Sequence, residues 1–350
     1  MQIFNYNKIK KRNIPYIIAE IGVNHEGSIK RAKKLIYYAK KSGAHAAKFQ
    51  TYKANKIAVK KSKYYWDIRK EPTRSQFELF SKYDSFNEND YKELAKYCQK
   101  LKIDFLSTPF DLDSVDFLYP LMPAYKISSS DITNYPLLKK ISLKKKPILL
   151  STGASSLNEI KNAIKIFKKN KIAKIIIMHC ILNYPTRDVN ANLIMIESLK
   201  REFPEYIIGY SDHTLADKKM QNLCTAYILG AKVIEKHFTL NKKMKGNDHY
   251  HAMDKKDLKI LVKNINKIKI SLGTSCKKKI IKSEHVSRKN ARRSIVLSHD
   301  VKKNHKLKKY DLICKRPGTG ISPIYFSKIV GKRIRYNLKA DRILTFRDIE

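Results

Sequence analysis

Short β-branched runs alternate with longer amphipathic segments along most of the chain. The runs are Tyr16–Gly22 (YIIAEIG), Ala44–Thr51, Asp104–Thr108, Ala124–Ser129, Pro147–Thr152, Lys174–Cys180, Ile207–Ser211 and Lys232–Phe238. Each is too short for a helix and almost unbroken in apolar character, the pattern of a strand covered on both faces. Between most of them, segments such as Ile29–Lys41, Glu88–Leu101, Ser156–Lys169 and Asp217–Leu229 place apolar residues at helical spacing. Strands alternating with helices imply parallel pairing through right-handed crossovers. Eight such units over about 250 residues predict an α/β fold, a (β/α)8 TIM barrel. An open doubly wound sheet is the competing arrangement, because it uses the same units.

The pattern changes after the lysine-rich connector Lys277–Lys282. Short β-like pieces follow (Ser294–Leu297, Lys309–Ile313, Ile343–Thr345), with a turn-rich RPGTG at 316–320. The reading is a barrel domain over 1–276 and a small β-rich domain over 277–350, near the lower size limit for independent stability. One connection is also unusually long. The stretch Tyr52–Glu88, after the second strand, carries Tyr64-Tyr65-Trp66 and Phe77 to Phe80. On a barrel it would project over the C-terminal face, either as a lid or as a packed insertion with its own core.

Composition narrows the class. With 43% hydrophobic residues among 350, the chain can bury a real core. It has no apolar run long enough to span a bilayer, nor the apolar stretch and small-residue site of a signal peptide, so a cytoplasmic protein is expected and no membrane partner. Five scattered cysteines without CxxC spacing favour reduced thiols. The formal charge of +43 would attract polyanions. The excess is mostly lysine, however, dispersed along helices such as the one carrying Lys33, Lys34, Lys40 and Lys41, and no nucleic-acid-binding motif accompanies it. Solvated surface lysine is the reading, and no nucleic-acid partner.

A TIM barrel does its chemistry at the C-terminal ends of its strands. This sequence places Glu20, Lys48, Thr108, Lys126 with Ser129, Ser151-Thr152, His179, Asp212-His213, and Glu235 with His237 there. Period-two alternation puts Glu235 and His237 on one face. Lys48 and Lys126 lie inside apolar strands, where a cation needs an anionic partner. His213 and His237 end neighbouring strands and together suit a divalent metal. His179 has the plainer reading of a hydrogen-bonded interior residue. Asp248, His249 and His251 could serve the site or simply form a polar loop.

Read in order, these segments closely resemble the sialic acid synthase family. The matching stretches are IAEIGVNHEGS, AAKFQT, STPFD, AYKISSSDITNYPLL, LLSTGAS, HCILNYPT, GYSDHT, VIEKHFTL and GNDHYHAMD. KRPGTGISP in the tail resembles the family's antifreeze-like (SAF) domain. The resemblance implies a barrel that binds phosphoenolpyruvate and an open-chain N-acylated mannosamine-type sugar. Lys48, Thr108, Lys126, Ser129 and Ser151 would hold the phosphate and carboxylate. His213 and His237 would ligate a divalent ion, Mn or Mg, with Co as a further option. The small domain would be swapped across a homodimer, carrying Arg316 to the acyl-sugar. Glu20, Glu235 and Asp248 are candidates for proton handling or for orienting sugar hydroxyls.

The same resemblance bears on substrate. Asn183 and Tyr184 would meet the sugar together with Asp248, but Leu182-Asn183-Tyr184 shifts the Asn-x-Tyr order found in many neuraminate synthases. The loop YYWDIRKEPTRSQFELF and the segment NDHYHAMD are more similar to the legionaminate subgroup, so N,N'-diacetyllegionaminate synthesis is the first reading and N-acetylneuraminate synthesis the second. Two other classes compete: an aldolase forming a Schiff base through Lys48 or Lys126, and a basic nucleic-acid binder.

Overall fold

Every residue of the first strand, Tyr16–Gly22 (β1), is buried, as its apolar run requires. The same holds, almost without exception, for Ala46–Thr51 (β2), Asp104–Pro109 (β3), Tyr125–Ile127 (β4), Ile148–Ser151 (β5), Ile175–Cys180 (β6), Ile207–Asp212 (β7) and Val233–His237 (β8). In the computed structural model, which describes all residues except Met1, Gln2 and Asn247, these eight strands form one sheet in the order β3-β2-β1-β8-β7-β6-β5-β4. The paired neighbours run parallel, and β1 pairs with both β2 and β8. An open doubly wound sheet of this order would leave β3 and β4 as its two separate edges. With β3 and β4 lying side by side, the sheet comes round to a TIM-like barrel.

The helices follow the apolar period. Ile29–Lys41 and Glu88–Leu101 span the predicted residues, and Leu157–Lys169 starts one residue in because Ser156 is its N-cap. Asn87 with Asp90, and Ser156 with Glu159, close reciprocal capping boxes that satisfy the first backbone N–H groups. The helix expected from Asp217 begins only at Gln221. The Asp217 carboxylate accepts from the N–H groups of Lys219 and Gln221, which holds a turn there instead. The run Ala124–Ser129 is strand only at its centre, since the chain turns into a short 3-10 helix at Ser129–Asp131.

The chain divides into two units, Met1–Gly273 and Thr274–Glu350. The second has its own core, including Ile295, Leu297, Leu307, Ile334 and Leu344. Its sheet pairs Ser294–Leu297 (β9) with Leu312–Lys315 (β10) in antiparallel fashion. The strand expected at Lys309–Ile313 is displaced: Lys309–Asp311 forms a 3-10 turn, and β10 begins at Leu312. Ile343 bridges to Val296 as a further edge.

The connection after β2 is a packed insertion. It buries Trp66, Leu79 and Glu71, with the indole N–H donating to the Glu71 carbonyl. It also approaches the loop after β8, where Lys70 lies over the Tyr250 ring at 5.6 Å.

Candidate functional site

Strand register decides which polar residues meet. In parallel pairs, register partners project to the same face, and the ladders align Glu20 with Lys48, Glu20 with His237, and Ser211 with Glu235. This face is the barrel lumen. There Lys48 Nζ lies 2.6 Å from Glu20 Oε2 and 3.5 Å from Glu235 Oε1, and Lys126 Nζ lies 3.4 Å from that same Glu235 oxygen. No side chain of this quartet is more than 5% exposed. Lys48 also donates to Thr108 Oγ1, Gln50 to Glu20, and Ser211 to Glu235. The sequence singled out neither Gln50 nor Ser211. Their signal was available in the two-residue spacing from Lys48 and His213.

The quartet is unevenly satisfied. Burial is the largest influence on Glu20; Lys48 pulls its pKa down and Glu235 pushes it up, and the result is about 7. Burial also raises the Glu235 carboxyl, but Lys126 and Lys48 together outweigh it and hold the carboxyl below its usual range. Lys126 is drawn below the usual lysine range by burial, against the pull of Glu235. Close by, the buried Ser151 hydroxyl has no hydrogen-bond partner among the described residues. Ser129 Oγ accepts from the Gly153 N–H at 2.9 Å. A cation with one distant carboxylate and a vacant hydroxyl beside it form a pocket suited to an oxyanion.

A second cluster lies at the rim. His213 follows β7 and His237 ends β8, and their ring centroids are 5.7 Å apart. His213 Nδ1 is hydrogen-bonded to the Ile181 carbonyl at 2.7 Å, which leaves Nε2 available. Tyr184 packs over His213 with centroids 4.1 Å apart. The segment after β8 returns to the same place, because the Met253 N–H donates to the His237 carbonyl at 2.8 Å. His249 is hydrogen-bonded to Thr239 and to Glu26. That returning segment carries Asp248, whose Oδ2 is 3.6 Å from His237 Nδ1, and His251, which is fully buried. One ligand atom from each of His237, Asp248 and His251 lies within 4.8 Å of the others. The buried His237 Nδ1 has no hydrogen-bond partner among the described residues, and an imidazole–carboxylate set of this kind fits a divalent ion. Burial raises the Asp248 carboxyl to about 6.

Gly22 makes this convergence possible. Its φ of +53° is the left-handed conformation that favours glycine, and a Cβ there would sit 3.3 Å from Glu20 Oε1 and 3.7 Å from Asp248 Oδ2.

Other expected residues lie elsewhere. His179 is in register with Tyr210 on the opposite face of the strands, stacked on that ring, with Nε2 hydrogen-bonded to the Ala191 carbonyl. It is the interior histidine of the plainer reading, and the third histidine of the rim is His251. Asp212 also faces away from the lumen, paired with Lys236 at 2.6 Å. Asn183 is exposed, its carbonyl accepting from Thr186 Oγ1. Arg316 lies in the second unit, exposed, just after β10.

The NeuB family model matches residues 35–277, and the SAF domain model matches residues 292–350. The chain belongs to the NeuB family. It is 40% identical over 343 residues to the N,N'-diacetyllegionaminic acid synthase of Legionella pneumophila, covering 96% of this chain and 94% of that protein. It is 32% identical over 352 residues to the pseudaminic acid synthase of Campylobacter jejuni, covering 97% of each. Among solved structures, the N-acetylneuraminic acid synthetase of Leptospira borgpetersenii in complex with citrate is similar at a TM-score of 0.68 and 33% identity, over 79% of this chain and 90% of that one. NeuB membership makes the chain a synthase of the sialic-type nonulosonic acids. Among its described residues, no helix is long and apolar enough to cross a membrane.

Proposed function

We propose that the chain condenses phosphoenolpyruvate with an N-acylated mannosamine-type sugar and water, giving a nine-carbon acid and phosphate, and that the product is N,N'-diacetyllegionaminate. The observation that carries the condensation is the buried Lys48–Glu20–Glu235–Lys126 quartet beside the His237–Asp248–His251 cluster. It joins an oxyanion pocket and a carbonyl-activating rim at one barrel mouth. The relative in Legionella supports the legionaminate product.

In this reading the enol carbon of phosphoenolpyruvate forms the new bond to the sugar aldehyde carbon. Water adds to the adjacent carbon, and the tetrahedral intermediate expels phosphate by C–O cleavage. Lys126, Lys48 and the Ser151 hydroxyl hold the phosphate and carboxylate, and their charge stabilises the departing phosphate. Glu20, titrating at about 7, can accept or return a proton near neutral pH. His213, His237 and Asp248 would hold a divalent ion, which when bound supplies Lewis-acid polarisation of the aldehyde. Arg316 and a homodimer complete the proposal: Arg316→Ala should raise the KM for the sugar and leave that for phosphoenolpyruvate unchanged.

The test is phosphate release from phosphoenolpyruvate with N-acetylmannosamine, its 6-phosphate or the 2,4-diacetamido-trideoxy sugar, each with and without chelator. The trideoxy sugar should be used best. Equal or better turnover of N-acetylmannosamine would transfer the assignment to neuraminate synthesis, and no release with any sugar would end the proposal. The depressed pKa of Lys126 is also what a Schiff-base aldolase needs. Borohydride with pyruvate should nevertheless leave activity intact.

A further inference from the structure

We infer that His251 is a nitrogen ligand to the divalent ion, sharing it with His237 and Asp248. The inference rests on the proposed reading that this barrel mouth holds such an ion. The sequence alone offered His213 and His237 as the pair and left His251 open between a role beside the site and a polar loop. The structure draws the group differently. The mutually close donor atoms belong to His237, Asp248 and His251, whereas His213 stands beside them with its Nδ1 engaged by the Ile181 carbonyl.

Three further observations support a ligand over a packing residue. The backbone carrying His251 is fixed: the Met253 N–H donates to the His237 carbonyl, the Thr239 N–H donates to the Met253 carbonyl, and the Tyr250 hydroxyl donates to the Tyr184 carbonyl. The imidazole therefore arrives on a braced segment, as a preorganised ligand must. Its ring lies 5.0 Å from that of His237 and its Nε2 is 3.9 Å from Asp248 Oδ1, with no exposed surface on His251. Asp248, in turn, reaches both histidines, through Oδ2 to His237 and Oδ1 to His251. A carboxylate between two buried imidazoles is a donor set, and its charge offsets that of a dication.

The consequence is a choice of metal. Imidazole suits Zn, Fe and the later divalent ions, whereas Mg prefers oxygen ligands and retains its water. A second imidazole beside that of His237 moves the centre away from Mg.

The experiment uses the full chain, stripped of metal by chelator, as wild type, His251→Ala, His251→Phe and His237→Ala. The phenyl ring fills the imidazole's space without a donor, and circular dichroism of the metal-free proteins confirms folding. Equilibrium dialysis with Mn2+, Co2+ and Mg2+ gives affinities, and pulsed EPR of the Mn2+ form counts the coupled imidazole nitrogens. Loss of even an outer partner of a metal ligand costs about 10–100-fold in affinity, so both His251 variants should bind Mn2+ and Co2+ at least that much more weakly. Each should show one coupled imidazole fewer than wild type, and wild type should favour Co2+ over Mg2+. Wild-type affinity and nitrogen count in both His251 variants, with binding lost in His237→Ala, would overturn the inference and leave the synthase reading intact. No binding by wild type would remove the inference and the metal from that reading together, and the phosphate-release assay with chelator would then judge the condensation separately.

Discussion

Glu235 stands between two buried lysines, so replacing it with glutamine tests the quartet directly. The substitution preserves shape but removes the negative charge shared by Lys48, at 3.5 Å, and Lys126, at 3.4 Å. Lys48 keeps Glu20 at 2.6 Å, whereas Lys126 loses the only carboxylate within salt-bridge distance among the described residues. Removing one partner of a buried pair costs about 3–5 kcal/mol, because it strands the other charge. For a unit the size of this barrel, about 2–4 °C of Tm per kcal/mol applies, so Tm should fall by roughly 6–20 °C. The loss also depends on pH. Lys126 already sits below the usual lysine range, so across that window the unfolded chain binds more protons than the folded one, and stability rises with pH. Without Glu235 the window extends to lower pH, and the variant should regain stability relative to wild type as pH is raised. Phosphoenolpyruvate should stabilise the variant more than wild type, since an anion supplies the missing charge; saturation at 100 times Kd contributes about 2.7 kcal/mol. Thermal unfolding followed by circular dichroism, with and without phosphoenolpyruvate at several pH values, gives all three results. A variant that melts within about 2 °C of wild type and gains nothing extra from the ligand would show that these charges are not coupled as described.

Four further outcomes are expected. Glu20→Gln should flatten the stability–pH curve: the folded carboxyl holds its proton up to about 7 against an ordinary 4.5, so wild-type stability falls as pH rises through that window, and urea unfolding at pH 5 and pH 7.5 will show whether the slope disappears. Lys236→Met strands the buried Asp212 on the outer face of the barrel wall and should cost about 3–5 kcal/mol in urea titration, with KM for both substrates little changed in the folded fraction. Gly22→Ala should lose about 1–2 kcal/mol from its left-handed φ and lower kcat by crowding the Glu20 carboxylate, 3.3 Å from the added Cβ, as steady-state assays will show. His213→Ala and His237→Ala should each remove most phosphate release while the far-UV spectrum stays native; turnover at the wild-type rate in either would remove that residue from the site.

The barrel was legible because its signals are local. A strand covered on both faces must be apolar throughout, so its run appears without knowledge of its neighbours, and β1 and the helices at Ile29–Lys41 and Glu88–Leu101 have the predicted bounds. Element ends were less legible where a side chain competes for the backbone, as Asp217 does before Gln221. The lumen half of the site was legible in part: a lysine within an apolar strand is costly unless paired, so Lys48 and Lys126 announced an anionic partner, but that Glu20 and Glu235 stand there emerges only from the strand register. The rim was harder, because alternation says that His179 and His213 differ in face only once register is known. His179 shares a ladder position with Tyr210 on the outer wall, whereas the third rim histidine comes from a loop that no periodicity describes. What brings His251 in is a long-range backbone bond, from the Met253 N–H to the His237 carbonyl. A sequence can display such a residue, but only the fold can deliver it, and the histidine–carboxylate rim is therefore the part of this synthase where structure adds most to the reading of its chemistry.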